Sequence, residues 1–145
     1  MAAAFRQPRY NPSEAMTDHE DRNIGAPGLD EVSPIGPTRV IEIRDGSLRE
    51  WTIEPERYGF DTPRAEHLAG GSPKENAEMV LSVLGGTASS GATAAVVLNA
   101  AAAIYVSGSV RTFDEAVSAA EAATRDGTGL RALERLRTAF ARSAA

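Results

Sequence analysis

The 145-residue chain contains no cysteine, which excludes disulfide bonds and thiol chemistry. Lysine is also scarce: Lys74 is the only one, and the formal net charge is −5. Nucleic-acid binding depends on lysine and arginine side chains that neutralise phosphates, so this charge balance argues against a nucleic-acid partner. The lack of cysteine is compatible with a cytoplasmic protein.

Long apolar runs are absent as well. The longest covers residues 92–106, with Asn99 at its centre, whereas a membrane span needs about 20 apolar residues. We therefore predict a buried helix here, and no membrane partner. Residues 2–5 are apolar, but the polar residues 6–14 follow directly, so no secretory signal is predicted. The expected location is the cytoplasm.

The composition divides the chain into two segments. Residues 1–27 mix proline, acidic residues, arginine and asparagine with few branched apolar side chains. Such a segment buries too little surface to order itself, so we predict that residues 1–27 are disordered or lie outside the folded domain. Residues 28–145 are long enough for one domain with a modest core.

A β-hairpin is predicted directly after the start of this domain. Asp45-Gly46 is a strong turn signal, because a two-residue type I′ turn requires positive φ at both positions. The arms would be residues 38–44 and 47–53, and Pro55 would end the second arm. Trp51, the only tryptophan, is expected to pack the hairpin against the helices.

About four helices are predicted in the remaining chain. Ser72-Pro73-Lys74-Glu75 and Thr112-Phe113-Asp114-Glu115 are capping boxes, which begin helices. The first helix would end at Gly85-Gly86. The second, about residues 92–107, is nearly apolar all round and is therefore expected to be central; the last would cover about residues 129–142. The fold class is thus α/β.

Asp30 and Glu31 are the candidate metal ligands. They are adjacent carboxylates in a loop bracketed by glycine and proline, and such a pair can offer several oxygens to Mg²⁺. Taken alone, the pair is more typical of a solvated loop. Asn99 is the one amide within the apolar helix, and we expect it to tie a neighbouring loop to that helix, since buried polar groups are regularly paired.

An ordered series of motifs resembles the C-terminal portion of the anthranilate phosphoribosyltransferase family, which belongs to glycosyl transferase family 3. The series, over roughly residues 25 to 140, consists of Gly28-Leu29-Asp30-Glu31, Gly36-Pro37-Thr38-Arg39-Val40, Pro55-Glu56-Arg57-Tyr58-Gly59-Phe60, Leu68-Ala69-Gly70-Gly71, Glu75-Asn76-Ala77, and the stretch from Leu98-Asn99 to Ile104-Tyr105. The resemblance implies that residues 28–145 are the C-terminal part of a phosphoribosyltransferase α/β domain, with an incomplete sheet.

The resemblance also implies an activity. The family transfers a phosphoribosyl group from phosphoribosyl pyrophosphate to anthranilate in tryptophan biosynthesis, one route of amino-acid biosynthesis. It is a Mg²⁺-dependent glycosyltransferase. By this likeness, Asp30 and Glu31 would bind the magnesium that accompanies phosphoribosyl pyrophosphate.

Parts of the family pattern are missing from the sequence. The family places its glycine-rich pyrophosphate loop, its flexible loop and its helical domain well before the Asp-Glu pair, but only 29 residues precede Asp30 here, without a G-x-G cluster. Residues 17–25 are too polar for a central parallel strand. We therefore expect a truncated or split transferase that is inactive alone and binds its substrates only when a complementing protein chain is present. The alternatives are a non-catalytic interaction module and a decayed gene product.

Overall fold

A computed structural model describes residues 2–6, 30–61, 63 and 65–143 of the protein. Three strands and four α-helices follow one another along this part of the chain: β1 (Ala2–Arg6), β2 (Thr38–Arg44), β3 (Ser47–Ile53), α1 (Pro73–Leu84), α2 (Ser90–Val106), α3 (Phe113–Arg125) and α4 (Thr128–Ser143). Two short 3-10 helices, Pro55–Tyr58 and Ala65–Leu68, connect β3 to α1. The α/β class and the four helices are as predicted.

The three strands form one antiparallel sheet in the order β1-β2-β3. The hairpin of β2 and β3 has the predicted arms, with Thr38 opposite Ile53 and Arg44 opposite Ser47. Its turn residues have positive φ, 52° at Asp45 and 77° at Gly46, as the type I′ turn requires. The hairpin prediction is therefore confirmed.

Strand β1 was not predicted. It pairs antiparallel with β2 and places Ala2 opposite Ile43 and Arg6 opposite Arg39. Residues 2–6 thus have regular structure, in contrast to the disorder expected for residues 1–27, because β2 offers them a strand edge that the local sequence does not reveal. Residues 7–29 lie outside the described residues, so the prediction for that part stays untested.

Capping side chains begin the helices as the sequence indicates. The hydroxyl of Ser72 accepts from the Glu75 amide while the Glu75 carboxylate accepts from the Ser72 amide, and Thr112 and Glu115 repeat the arrangement. The Ser72 hydrogen bond favours the ionised carboxyl of Glu75 and lowers its pKa. Helix α2 begins two residues earlier than expected and ends one residue earlier.

The core lies between the hairpin and one side of α2 and α3. Val40 and Ile53 of the hairpin are fully buried with Leu98 and Ala101 of α2. Trp51 packs edge-on against the rings of Tyr105 and Phe113, at centroid distances of 6.0 Å and 5.3 Å. The predicted role of Trp51 is thereby confirmed.

Helix α2 is largely covered by the described residues, but not on every side. Its residues Ala94, Val97, Leu98 and Ala101 are buried, whereas Val96 is 38% exposed and Ala103 is exposed. Helix α1 is even more open, with Val80 48% exposed. None of the described helices is both long and apolar enough to cross a membrane.

Candidate functional site: an acidic loop and an apolar cleft beside α2

The loop that carries Asp30 and Glu31 leads from the surface into the core. Both carboxylates are exposed, but the next residues, Val32 and Ser33, are 2% and 0% exposed. The two acidic side chains are thus exposed, whereas the residue that directly follows them is buried. The two exposed carboxylates therefore stand directly before a buried segment of the backbone.

Asn99 of α2 holds the backbone of this loop in place through hydrogen bonds to both the amide and the carbonyl of one residue, Val32. The Val32 amide donates to Asn99 Oδ1 at 2.9 Å, and Asn99 Nδ2 donates to the Val32 carbonyl at 3.0 Å. The second Nδ2 hydrogen goes to the carbonyl of Ala95 at 2.9 Å. The expectation that Asn99 ties a loop to the helix is confirmed, and its partner is the residue that directly follows the acidic pair.

A second set of hydrogen bonds shapes the rest of the loop. The Ser33 amide donates to Oγ1 of Thr38 at 3.0 Å, and the Ile35 amide donates to Oγ of Ser33 at 3.2 Å. Ser33 and Thr38 are both fully buried. The acidic loop is therefore anchored to α2 at Val32 and to the start of β2 at Thr38.

An apolar cleft of about 580 Å³ opens between this loop, α1 and α2. Apart from Glu31 and Asn99 its lining is apolar: Val32, Pro34, Leu68, Met79, Val80, Val83, Ala92, Ala95, Val96 and Ala100. Glu31 therefore lies at the edge of the cleft as well as in the acidic loop. The sequence did not predict this cleft, because its existence depends on the separation between α1 and α2, which no local pattern determines.

A buried carboxylate that sequence reasoning did not single out lies on the opposite side of α2. Glu42 of β2 is 3% exposed, and its carboxylate oxygens lie 2.9 Å and 3.0 Å from the Tyr105 hydroxyl. Trp51 Nε1 donates to Glu42 Oε2 at 3.2 Å, and Arg44 Nε lies 3.0 Å from Oε1. The signal in the sequence was that Glu42 shares a strand face with buried Val40.

Burial raises the pKa of Tyr105, and the hydrogen bond to Glu42 raises it further. The Arg44 guanidinium lies over the Tyr105 ring, 5.4 Å from its centroid, and it also donates to the hydroxyl at 3.2 Å. This closed network joins the hairpin to α2. Its groups satisfy one another inside the fold, so we assign it to stability rather than to ligand binding.

A similar but exposed cluster links the 3-10 helix Pro55–Tyr58 to the start of α3. Arg57 and the hydroxyl of Tyr58 both donate to the carboxylate of Asp114, at 2.9 Å and 3.0 Å. Partial burial raises the pKa of Tyr58 to about 12, with a further contribution from Asp114. The cluster positions α3. None of these hydrogen bonds involves a residue of the acidic loop.

Three of the four amides in the two glycine pairs make hydrogen bonds within the chain. The Gly71 amide donates to Asn76 Oδ1 at 2.8 Å, and the amides of Gly85 and Gly86 donate to the carbonyls of Leu81 and Val83. These donors are used to begin and end α1, as the sequence predicted. Among the residues that the structure describes, no group of three or more acidic or histidine side chains could hold a metal ion.

The family model described as "Glycosyl transferase family, a/b domain" matches residues 21–130. Anthranilate phosphoribosyltransferases are among the similar proteins: that of Methanobrevibacter smithii is 41% identical over 111 residues, which are 77% of this chain and 33% of the relative. The Bacillus subtilis protein is 40% identical over 110 residues, or 76% and 32% of the two chains. The chain thus spans about a third of the length of these relatives.

Solved structures of the same enzymes superpose on the chain. Anthranilate phosphoribosyltransferase from Saccharomyces cerevisiae in complex with PRPP and Mg is 32% identical, with a TM-score of 0.64 over 76% of this chain and 32% of that one. The Thermus thermophilus enzyme gives a TM-score of 0.65 and 32% identity over 74% and 32% of the two chains. With more than half of its length matched by the family model, the chain belongs to the glycosyl transferase family, in the part described as its a/b domain.

Proposed function

We propose that residues 28–145 are the C-terminal part of an anthranilate phosphoribosyltransferase α/β domain in which Asp30 and Glu31 hold Mg²⁺. The observation that carries this proposal is the pair of hydrogen bonds between Asn99 and Val32, which fixes the backbone directly behind both carboxylates. The similar yeast enzyme, described in complex with PRPP and Mg, supports the choice of ligand.

The chemistry of the acidic pair fits magnesium. Mg²⁺ is held by one or two carboxylates together with waters and substrate phosphates rather than by a cage of protein ligands. Asp30 and Glu31 are exposed neighbours, and the described residues contain no third acidic or histidine side chain grouped with them. The pair is therefore suited to a metal that arrives with a phosphorylated substrate. When bound, Mg²⁺ neutralises charge on the pyrophosphate leaving group and orients it.

The reaction would be attack of the anthranilate amine on the anomeric carbon of phosphoribosyl pyrophosphate, a step of tryptophan biosynthesis, and pyrophosphate would leave. This chain would contribute the two carboxylates and the helix that fixes them. The amide donors of Gly71, Gly85 and Gly86 already make hydrogen bonds within the chain, which argues against phosphate binding by these glycines. The phosphate donors and the groups that position anthranilate would lie outside residues 28–145, so we expect these residues to be inactive without them. A cytoplasmic location stays a prediction.

Isothermal titration of the purified chain with phosphoribosyl pyrophosphate tests the metal assignment. Functional binding of both substrates needs groups outside residues 28–145, but Asp30 and Glu31 should still hold the Mg²⁺ complex of phosphoribosyl pyrophosphate weakly. At millimolar ligand we therefore expect heat that requires Mg²⁺ in the wild-type chain and that disappears in the Asp30→Asn/Glu31→Gln double variant. The control, Asp61→Asn/Glu66→Gln, removes the same charge from two other exposed carboxylates and should bind like the wild type. Equal heat in the two double variants, or no Mg²⁺-dependent heat from folded wild-type chain at millimolar ligand, would contradict the assignment.

A non-catalytic protein-interaction module is the second candidate. The observation in its favour is the apolar cleft with its partly exposed lining residues Met79, Val80 and Val96. Contiguous apolar surface on a protein marks a partner site or an aggregation hazard. Tight binding of a protein with no response to phosphoribosyl pyrophosphate would favour this candidate. A decayed gene product, the remaining interpretation, would show neither ligand nor partner binding.

A further inference from the structure

Strand β1 covers one edge of β2. It pairs antiparallel with β2 from Ala2 opposite Ile43 to Arg6 opposite Arg39. The family model matches residues 21–130, so the likeness to the family does not account for this strand. Backbone N–H and C=O groups along an uncovered strand edge form a template for pairing with another chain. β1 thus occupies backbone groups of β2 that another strand could otherwise use.

β2 has the higher strand propensity of the two. Four of its seven residues are β-branched: Thr38, Val40, Ile41 and Ile43. The β1 residues, Ala2–Arg6, include three alanines and no β-branched residue, and alanine is depleted in strands. β2 is also held on its other side by the hairpin with β3. β1 is therefore the member of the pair that should open first.

The residues of β2 are compatible with pairing to a second β2 about a two-fold axis. The midpoint of β2 is Ile41, and the ladder with β1, which covers residues 39–43, is centred on the same residue. An antiparallel pair with this centre would place Ile41 opposite itself and Arg39 opposite Ile43. No two like charges lie opposite each other in that register. Ile43 is 51% exposed, so this pairing would also bury apolar surface.

The other edge of the sheet is protected by its own sequence. β3 runs from Ser47 to Ile53, and its midpoint is Glu50. A two-fold pair of β3 strands with that centre would place two Glu50 carboxylates opposite each other, and like charges in that arrangement are destabilising. The ion pair of Glu50 with Arg39, 2.7 Å long and exposed, offsets this only in part. β2 has no charge at its midpoint and is covered by β1 instead.

We propose that β1 is a detachable edge strand that keeps the chain monomeric by covering β2, and that its release lets the β2 strands of two copies pair about a two-fold axis through Ile41. The role follows from the register and the charges of the sheet, and it is independent of the metal assignment of Asp30 and Glu31. Any change that displaces β1 would thus convert the monomer into a dimer.

Two matched double variants test the covering role. Ala3→Pro/Ala4→Pro removes the N–H groups of two successive residues, one of which points at β2 in any antiparallel ladder. Ala3→Val/Ala4→Val keeps both N–H groups and raises the strand propensity. Analytical ultracentrifugation should show monomers for the wild type and the valine variant. The proline variant should form dimers whose dissociation constant is at least about tenfold lower than that of the wild type, as expected when several ladder hydrogen bonds form between copies.

Single cysteines locate the interface, because the chain has none of its own. In the proline variant, Ile41→Cys should cross-link two copies under mild oxidation. Directly opposed residues of an antiparallel pair have Cα atoms about 4.5–5.5 Å apart, a separation that suits a disulfide. The control, Leu48→Cys, changes a 65% exposed residue of β3 and should cross-link far more slowly.

Far-UV circular dichroism and Trp51 fluorescence show whether each variant is folded. A folded proline variant that remains monomeric would overturn the inference. So would a wild type that dimerises as strongly as the proline variant, or a dimer that cross-links through Leu48→Cys and not through Ile41→Cys. If the proline variant does not fold, hydrogen exchange of the wild type decides: the hydrogen-bonded amides of β1 should exchange before those of β3, and equal protection would overturn the inference as well.

Discussion

The side-chain amide of Asn99 pairs with the backbone of Val32 in both directions, through N–H···O bonds of 2.9 Å and 3.0 Å between residues 67 positions apart. The Asn99 side chain thus exchanges two N–H···O bonds with Val32, as two paired residues on neighbouring antiparallel strands do with each other. The bonds lie at the point where an exposed acidic loop enters the core. They connect the central helix to the carboxylates proposed to bind metal.

Asn99→Ala should destabilise the protein by about 1–3 kcal/mol, because the largely buried amide and carbonyl of Val32 would each lose a partner. Urea unfolding followed by Trp51 fluorescence measures the change in the free energy of unfolding. Asn76→Ala is the control: Asn76 makes a similar pair of bonds with Gly71, but at an exposed site, and should cost less. An equal decrease in the free energy of unfolding in both variants would show that the buried contact with Val32 stabilises the fold no more than the exposed contact with Gly71.

Tyr105→Phe and Tyr58→Phe remove the same hydroxyl from two different surroundings. Tyr105 contacts buried Glu42, whereas Tyr58 contacts exposed Asp114. We expect Tyr105→Phe to cost about 1.5–3 kcal/mol, as for hydrogen bonds to charged groups, and Tyr58→Phe to cost about 1 kcal/mol at most, as for exposed polar pairs. Thermal unfolding of both variants ranks them. The reverse order would contradict the assignment of the Glu42 network to stability.

Alkaline pH should weaken the fold through Tyr58. Its pKa is raised from 10.0 to about 12 in the folded protein, chiefly by burial. A raised pKa means that the neutral phenol stabilises the fold; this contribution is complete below pH 10 and is lost as the pH rises from 10 to 12. The difference in phenolate absorbance between wild type and Tyr58→Phe, read after a stopped-flow pH jump, gives the midpoint.

Asp114→Asn sharpens this test. It removes the charge of the carboxylate that accepts the Tyr58 hydroxyl, while the larger effect of burial remains. The Tyr58 midpoint should therefore fall below 12 but stay above 10.0. A wild-type midpoint at 10.0 would show that the phenol is neither buried nor bonded to Asp114 in solution.

Local sequence signals were sufficient for the hairpin and the helices. Asp45-Gly46 predicts a two-residue turn, and the capping boxes at Ser72 and Thr112 predict the starts of α1 and α3, where the structure has them. Each of these signals acts over two to four residues. For that reason the bounds of β2, β3, α1 and α3 agree with the sequence patterns.

Long-range contacts could not be read in the same way. The sequence showed that Asn99 needs a hydrogen-bond partner, but no local pattern could identify Val32, 67 positions away, as that partner. The contact of Glu42 with Tyr105 spans 63 positions, and the pairing of β1 with β2 joins segments that lie far apart in the sequence. The metal assignment of Asp30 and Glu31 came from the family resemblance, since an acidic pair in a loop is by itself more typical of a solvated loop.

Transferase activity of the assembled complex tests the central claim most directly. The chain would be combined with a fragment of the Bacillus subtilis relative that carries the part of that protein outside the stretch matched by this chain. Formation of phosphoribosyl anthranilate would be followed by the loss of anthranilate fluorescence. The proposal predicts Mg²⁺-dependent turnover by the complex and none by either part, with a loss of at least about 100-fold in Asp30→Asn/Glu31→Gln, in line with the loss of a catalytic electrostatic group. A stable complex that turns over equally well with and without both carboxylates, or not at all, would contradict it.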